Sequence, residues 1–248
     1  MAAHRASSAP SSSGRRRFLL VVDSDVRSLF ATTTLLQRMQ YNIWSARSAA
    51  EALEMATVAV PALLILAQNL PDMSSVEFVK QFKQYDLANS TPIVMLTQRA
   101  DPASERACLA AGALTCLTIP INAENLYRVV QMATEPLPRM NIRISTKLSV
   151  TVNNQTVECV EGECASVLSE YGVYVRTLEP RPLNSKLPVR IQLAGGAITA
   201  DAVVIHSHRA GTGPRDEPGM GLQFIRISEQ DQERIRCFIK DELTRGIN

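Results

Sequence analysis

The chain has few of the residues from which catalytic and metal centres are built. It holds three histidines, five cysteines and one tryptophan in 248 residues. His4, His206 and His208 make no metal triad, and His206 and His208 read as surface residues on one face of a strand. The cysteines (Cys108, Cys116, Cys159, Cys164 and Cys237) include no C-x-x-C pair, so free thiols in a reducing compartment are expected rather than a zinc site. No apolar run reaches the ~18 residues of a membrane-spanning helix. No nucleophile sits in a recognisable pattern with a base, so neither an enzyme nor a bound cofactor is expected. Nor is there a charge excess of the kind that binds DNA. The formal net charge is +2, and without Arg5, Arg15, Arg16 and Arg17 the balance is 22 basic residues to 24 acidic.

What is present divides in two. Residues 1–17, rich in Ser, Ala, Pro and Arg and without an apolar segment, read as a disordered tail and not as a secretory signal. From 18 to 133 apolar runs alternate with helical spacing. Phe18–Val22 suits a strand buried on both faces of a parallel sheet, and Tyr41–Ser45, Ala62–Leu66, Pro92–Leu96 and Ala113–Thr118 complete a set of five. Between them come helices over 25–39, 49–58, 75–85, from Asp101-Pro102 onward, and over 122–132. Val76, Val79 and Phe82 are expected on the buried face of the third, and Asp101 and Pro102 take the N-cap and first helical position of the fourth. Five strand–helix units in order predict a doubly wound α/β sheet.

Thr134-Glu135-Pro136-Leu137-Pro138 is a stiff linker, so the domains run 18–133 and 139–248. In the second, apolar residues alternate at Leu148/Val150/Val152, Val173/Val175 and Val189/Ile191/Leu193, with further strands over 202–205 and 222–227. Asn153-Asn154, 180–184, Gly195-Gly196 and 211–219 supply turns. An antiparallel barrel or sandwich follows, closed by one helix with Ser228 as cap, Asp231 at its third position and Ile235, Phe238, Ile239 and Leu243 as its apolar stripe.

Val21-Val22-Asp23-Ser24-Asp25, Leu70-Pro71-Asp72-Met73, Met95-Leu96-Thr97, Gly112-Ala113 and Thr118-Ile119-Pro120 together resemble the receiver domain of two-component response regulators. The resemblance implies five working positions. The paired acids that hold magnesium fall on Asp23 and Ser24. The phosphate-accepting aspartate falls on Ala67, the switch hydroxyl on Thr97 and the phosphate-pairing lysine on Ile119. Alanine has no oxygen to attack a phosphoryl donor, and isoleucine carries no charge to pair with its product. The first domain therefore reads as a pseudo-receiver. It is either a docking or dimerisation module held in one state or a retained fold that spaces the second domain.

Arg139-Met140-Asn141-Ile142-Arg143, Val167-Leu168-Ser169-Glu170-Tyr171-Gly172 and Gly219-Met220-Gly221-Leu222-Gln223-Phe224 resemble the motifs of PilZ domains, barrels that bind cyclic di-GMP. The resemblance implies that Arg139 and Arg143 fork onto phosphate or stack on guanine, with Ser169 and Gly172 beside them. Val167 stands where the pattern has Asp or Asn. An unpaired guanine donor there costs ~1–3 kcal/mol, roughly ten- to a hundredfold in affinity. The alternative is a solvated arginine pair beside an ordinary turn. The combined resemblance implies a non-catalytic cytoplasmic bacterial regulator working through protein partners, with a homodimer allowed, in motility, cell polarity or exopolysaccharide production. The competing expectation is a genuine cyclic di-GMP receptor.

Overall fold

The computed structural model describes residues 18–85, 88–99, 101–139, 141–153, 155–156, 165–209 and 218–247. The N-terminal tail with His4, Met140 of the arginine motif, Cys159, Cys164 and most of the 211–219 turn lie outside the described residues.

The first domain alternates β1 (Phe18–Val22), α1 (Val26–Arg38), β2 (Asn42–Ala46), α2 (Ala49–Val58), β3 (Leu63–Ala67), α3 (Ser75–Phe82), β4 (Ile93–Thr97), α4 (Pro102–Ala110), β5 (Thr115–Thr118) and α5 (Ala123–Thr134). The strands are parallel in the order β2-β1-β3-β4-β5. Every residue of β1, β3 and β4 is buried, because both faces of the sheet are covered. Odd and even positions feed different layers. Leu19, Val21, Leu63, Ile65, Val94 and Leu96 pack under α1 and α5. Phe18, Leu20, Val22, Leu64, Leu66 and Met95 pack on the side of α2, α3 and α4. Each helix starts at a side-chain cap (Asp25, Ser48, Ser74, Asp101 or Asn122), typically worth about 1 kcal/mol. Asp25 is out of register with the acidic pair because it caps α1, accepting the Ser28 N–H at 2.7 Å. One face assignment needs correction. In α3 the buried set is Ser75, Phe78, Val79 and Phe82, while Val76 is 43% exposed. The helix turns on Phe78, whose ring stacks on Phe82.

The second domain is antiparallel: β6 (Ile144–Leu148), β7 (Val150–Val152), β8 (Gln155–Thr156), β9 (Ala165–Ser169), β10 (Gly172–Arg176), β11 (Lys186–Leu193), β12 (Gly196–His208) and β13 (Gly219–Ile227), then α6 (Glu229–Thr244). Their order is β6-β9-β10-β13-β12-β11-β7-β8. β6 forms one edge and β7 lies near the other, yet only Ser149 separates them in sequence. The sheet therefore curls until the Ser149 carbonyl accepts the Gln192 N–H of β11 at 3.0 Å. Gly196 turns the β11–β12 hairpin at φ +113°, a conformation that disfavours side chains. His206 and His208 share a face of β12, with ring centroids 6.3 Å apart.

The two domains share a core. One apolar cluster runs from Leu35, Leu36 and Met39 of α1 through Tyr127 and Val130 of α5 to Ile144 of β6 and Ile235, Ile239 and Leu243 of α6. Polar contacts frame it. Arg38 Nη1 donates to the Glu242 and Leu243 carbonyls at 3.0 and 2.8 Å, satisfying the end of α6, and Gln40 Nε2 donates to Ser145 Oγ at 3.0 Å.

Candidate functional site

A parallel sheet offers its site at the carboxyl ends of its strands. There β1 delivers Asp23, β3 ends at Ala67, β4 ends at Thr97, and Ile119 follows β5. Asp23 is 3% exposed. Oδ1 accepts the Asp25 N–H at 2.9 Å, and Oδ2 is buried with no hydrogen-bond partner among the described residues. Ala67 is 6% exposed. The Thr97 hydroxyl donates to Gln68 Oε1 at 3.2 Å and accepts the Arg99 N–H at 3.2 Å, which ties it into the β4 end. Ile119 donates its N–H to the Thr97 carbonyl at 2.8 Å and packs its side chain against the α1/α5 core. The Asp72 carboxylate takes the N–H groups of Ala49 and Ala50 at 3.0 and 2.9 Å, tethering the loop after β3 to the start of α2. Those amides, Ala49 first, hold its carboxyl below the usual range.

The receiver pattern implies a magnesium ion, and these residues do not fit one. Asp23 offers a carboxylate and Ser24 only a hydroxyl, while Ala67 offers nothing. Magnesium usually holds to one or two carboxylates together with the phosphate it serves. Position 67 supplies no side-chain oxygen to complete the set.

The second candidate site lies where the domains meet. The backbone of the arginine motif is fastened to α5. Gln131, only 5% exposed, accepts the Arg139 N–H on Oε1 at 2.8 Å and donates from Nε2 to Tyr41 Oη at 2.6 Å. The Tyr127 hydroxyl donates to the Asn141 carbonyl at 2.7 Å. Burial pushes the Tyr41 phenol up to about 12, against the lowering effect of the Gln131 bond. Burial also raises Tyr127, opposed by the positive charges of Arg139 and Arg143. Beside this network runs a groove of about 740 Å³. Tyr127, Arg128 and Gln131 of α5 form one wall, Arg236, Lys240 and Leu243 of α6 the other. Arg139 and Glu170 both line it, so the first two of the three PilZ-like motifs reach the same place.

The remaining motif residues are not all brought there. Ser169 and Gly172 face each other across the β9–β10 hairpin, and the Ser169 hydroxyl donates to the Gly172 carbonyl at 3.1 Å. Gly172 does not use a positive φ. A Cβ there would stand 2.4 Å from the Leu222 carbonyl of β13, so its role is close strand approach. Val167 lines a different groove, about 1020 Å³, with Lys147, Arg176 and Arg245. Arg143 is exposed just before β6.

Sequence reasoning passed over Gln68, Asp72, Tyr41, Tyr127, Arg128 and Gln131. Gln131 had a readable signal, a polar residue on the same helix face as Tyr127 and Val130, which is unusual unless a buried polar group needs partners. Gln68 had none, since its partner comes from β4, and Asp72 stood in a quoted motif whose tether to α2 is not local in sequence. Among the described residues, no group of three or more His, Cys, Asp or Glu is placed to hold a metal ion, and no helix is long and apolar enough to cross a membrane.

Comparison with known proteins agrees with both halves. Residues 19–131 match the response regulator receiver domain and residues 138–241 the PilZ domain. Among curated proteins, the CpxR-homologue transcriptional regulatory protein of Haemophilus influenzae is 28% identical over 108 residues, 44% of this chain. The chain spans about half the length of that relative, 46%. An uncharacterised 14.6 kDa protein of Leptolyngbya boryana is 27% identical over 113 residues, 46% of this chain and 86% of that protein. Among solved structures, the Vibrio cholerae chemotaxis response regulator CheY4 is 31% identical with a TM-score of 0.45, covering 47% of this chain and 98% of that one. The signal receiver domain of an HD domain-containing protein from Pseudomonas fluorescens is 27% identical with a TM-score of 0.44, covering 49% and 96%.

Proposed function

We propose that this protein, a response regulator receiver domain followed by a PilZ domain, is a non-catalytic regulator whose receiver is not phosphorylated and works as a docking surface. The observation that carries this is the end of β3. Ala67 supplies no nucleophile, Ser24 no second carboxylate and Ile119 no cation. The switch hydroxyl of Thr97 is already engaged by Gln68 and Arg99. A receiver that cannot take the phosphoryl group has no ligand with which to shift between two states, so it presents one surface constitutively. A cytoplasmic location, outputs in motility, polarity or exopolysaccharide production, and a homodimer belong to this reading by analogy with the two families. The test is incubation of the full chain with a small phosphodonor such as acetyl phosphate. No acid-labile phosphate is expected. Stoichiometric labelling of the receiver would end the proposal.

A second reading makes the protein a cyclic di-GMP receptor. It is favoured by the convergence of Arg139 and Glu170 on one groove. Val167 and the Ser169 hydroxyl already donated to Gly172 speak for weak binding at best through the second motif. Saturable binding of cyclic di-GMP that disappears in Arg143→Ala would move the conclusion to this reading.

A further inference from the structure

We propose that the groove between α5 and α6 is a composite anion site, in which Arg128 of the receiver acts with Arg139 and Lys240 to hold a phosphate-bearing ligand of nucleotide size. The proposal deepens the cyclic di-GMP reading and rests on it for the identity of the ligand.

The charges in the groove are unevenly matched. Arg236 is engaged by Glu170 at 3.4 Å and Glu233 at 3.2 Å, which consumes two of the groove's acids. Glu124 lies in the first turn of α5, where the positive end of the helix already favours it. Arg128, Arg139 and Lys240 make no ion pair among the described residues. Arg128 gives only one Nη2 bond to the neutral Asn125 Oδ1, at 3.0 Å, and keeps most of its five N–H donors available. The lining holds four cations against three carboxylates, a net charge of +1, and a phosphate-bearing ligand can meet the three cations that have no carboxylate partner among the described residues, with arginine forks reading its oxygens. About 740 Å³ lies within the range of small-molecule sites. The site is also preorganised. Gln131 and Tyr127 fix the backbone on both sides of the 140 position, so the ligand need not order the segment that carries Arg139. One wall belongs to the receiver, so that domain acts as part of the ligand site even without phosphorylation chemistry.

The test is calorimetric titration of the full chain with cyclic di-GMP, and separately with GTP, at low salt. Arg128→Gln is expected to weaken binding roughly ten- to a hundredfold, the usual cost of one charge-assisted contact, with an unchanged melting temperature. Arg128→Lys should recover part of the loss. Lys80→Gln, on α3 in the opposite layer, should change nothing. If the chain binds cyclic di-GMP and Arg128→Gln binds it equally well, the composite site is wrong and the receptor reading survives. If the chain ignores cyclic di-GMP but binds GTP with the Arg128 dependence, the site stands and that reading falls. If neither nucleotide binds, both fall.

Discussion

Replacing Gln131 by Met removes two hydrogen bonds at the domain junction and little volume. The side chain keeps its length, so no cavity opens, and the loss reports the polar contacts themselves. The Arg139 N–H loses its acceptor and the Tyr41 hydroxyl loses its donor. Each bond is worth about 1 kcal/mol net, and each partly buried partner left unpaired adds up to about another. The expected destabilisation is about 2–4 kcal/mol. For a chain of this size that lowers Tm by roughly 4–16 °C. Urea unfolding followed by far-UV circular dichroism measures it. Because α1, α5 and α6 share one core, a single transition is expected rather than one for each domain. A double-mutant cycle with Tyr41→Phe isolates the contact and should give a coupling of about 1 kcal/mol. If the two substitutions add within about 0.3 kcal/mol, or if Gln131→Met leaves the unfolding curve unmoved, the junction is not held as described.

Other expectations follow from the same contacts. Ala67→Asp alone should take no label from acetyl phosphate, whereas Ala67→Asp combined with Ser24→Asp and Ile119→Lys should, and labelling of the single variant would show that the other two positions do not matter. Gly172→Ala drives a Cβ into the Leu222 carbonyl and should cost about 1–3 kcal/mol by chemical denaturation; a neutral result would mean that β10 and β13 can separate without loss. The Tyr41 phenol is raised to about 12, so the stability it contributes is complete below pH 10 and is lost as pH rises through 12. Tyr41→Phe should therefore flatten part of that alkaline decline in a pH series of unfolding curves, and parallel curves for the two proteins would refute the assignment.

The parallel sheet was legible because its strands are continuous apolar runs, and burial on both faces leaves no other pattern for them. The caps at Asp101 and Ser228 were legible because capping is local, settled within three residues. Val76 misled because valine fits either face of a short helix, and Phe78, the larger side chain, decided which face turned inward. β9 escaped notice because Ala165–Ser169 mixes small and polar residues, and its partners β6 and β10 make it a strand. The residues at the five receiver-motif positions could be read from single letters, since an absent carboxylate is visible without coordinates. The junction could not. Gln131, Tyr41 and Arg139 come from a helix, a strand entrance and the start of the second domain, and only the packing of α5 against that domain brings them within bonding distance.

The common core has a consequence for how this protein can be taken apart. A receiver excised at the linker would leave α1 and α5 with Leu35, Met39, Tyr127 and Val130 stripped of Ile235, Ile239 and Leu243. Such a fragment would be prone to self-associate, and a chimera carrying a foreign receiver would inherit a mismatched seam. In the intact molecule those four side chains of α1 and α5 are covered, and the apolar side chains that the first domain leaves exposed include Val26 and Phe30 of α1, Met132 of α5, and Leu109 and Leu114 around α4 and β5.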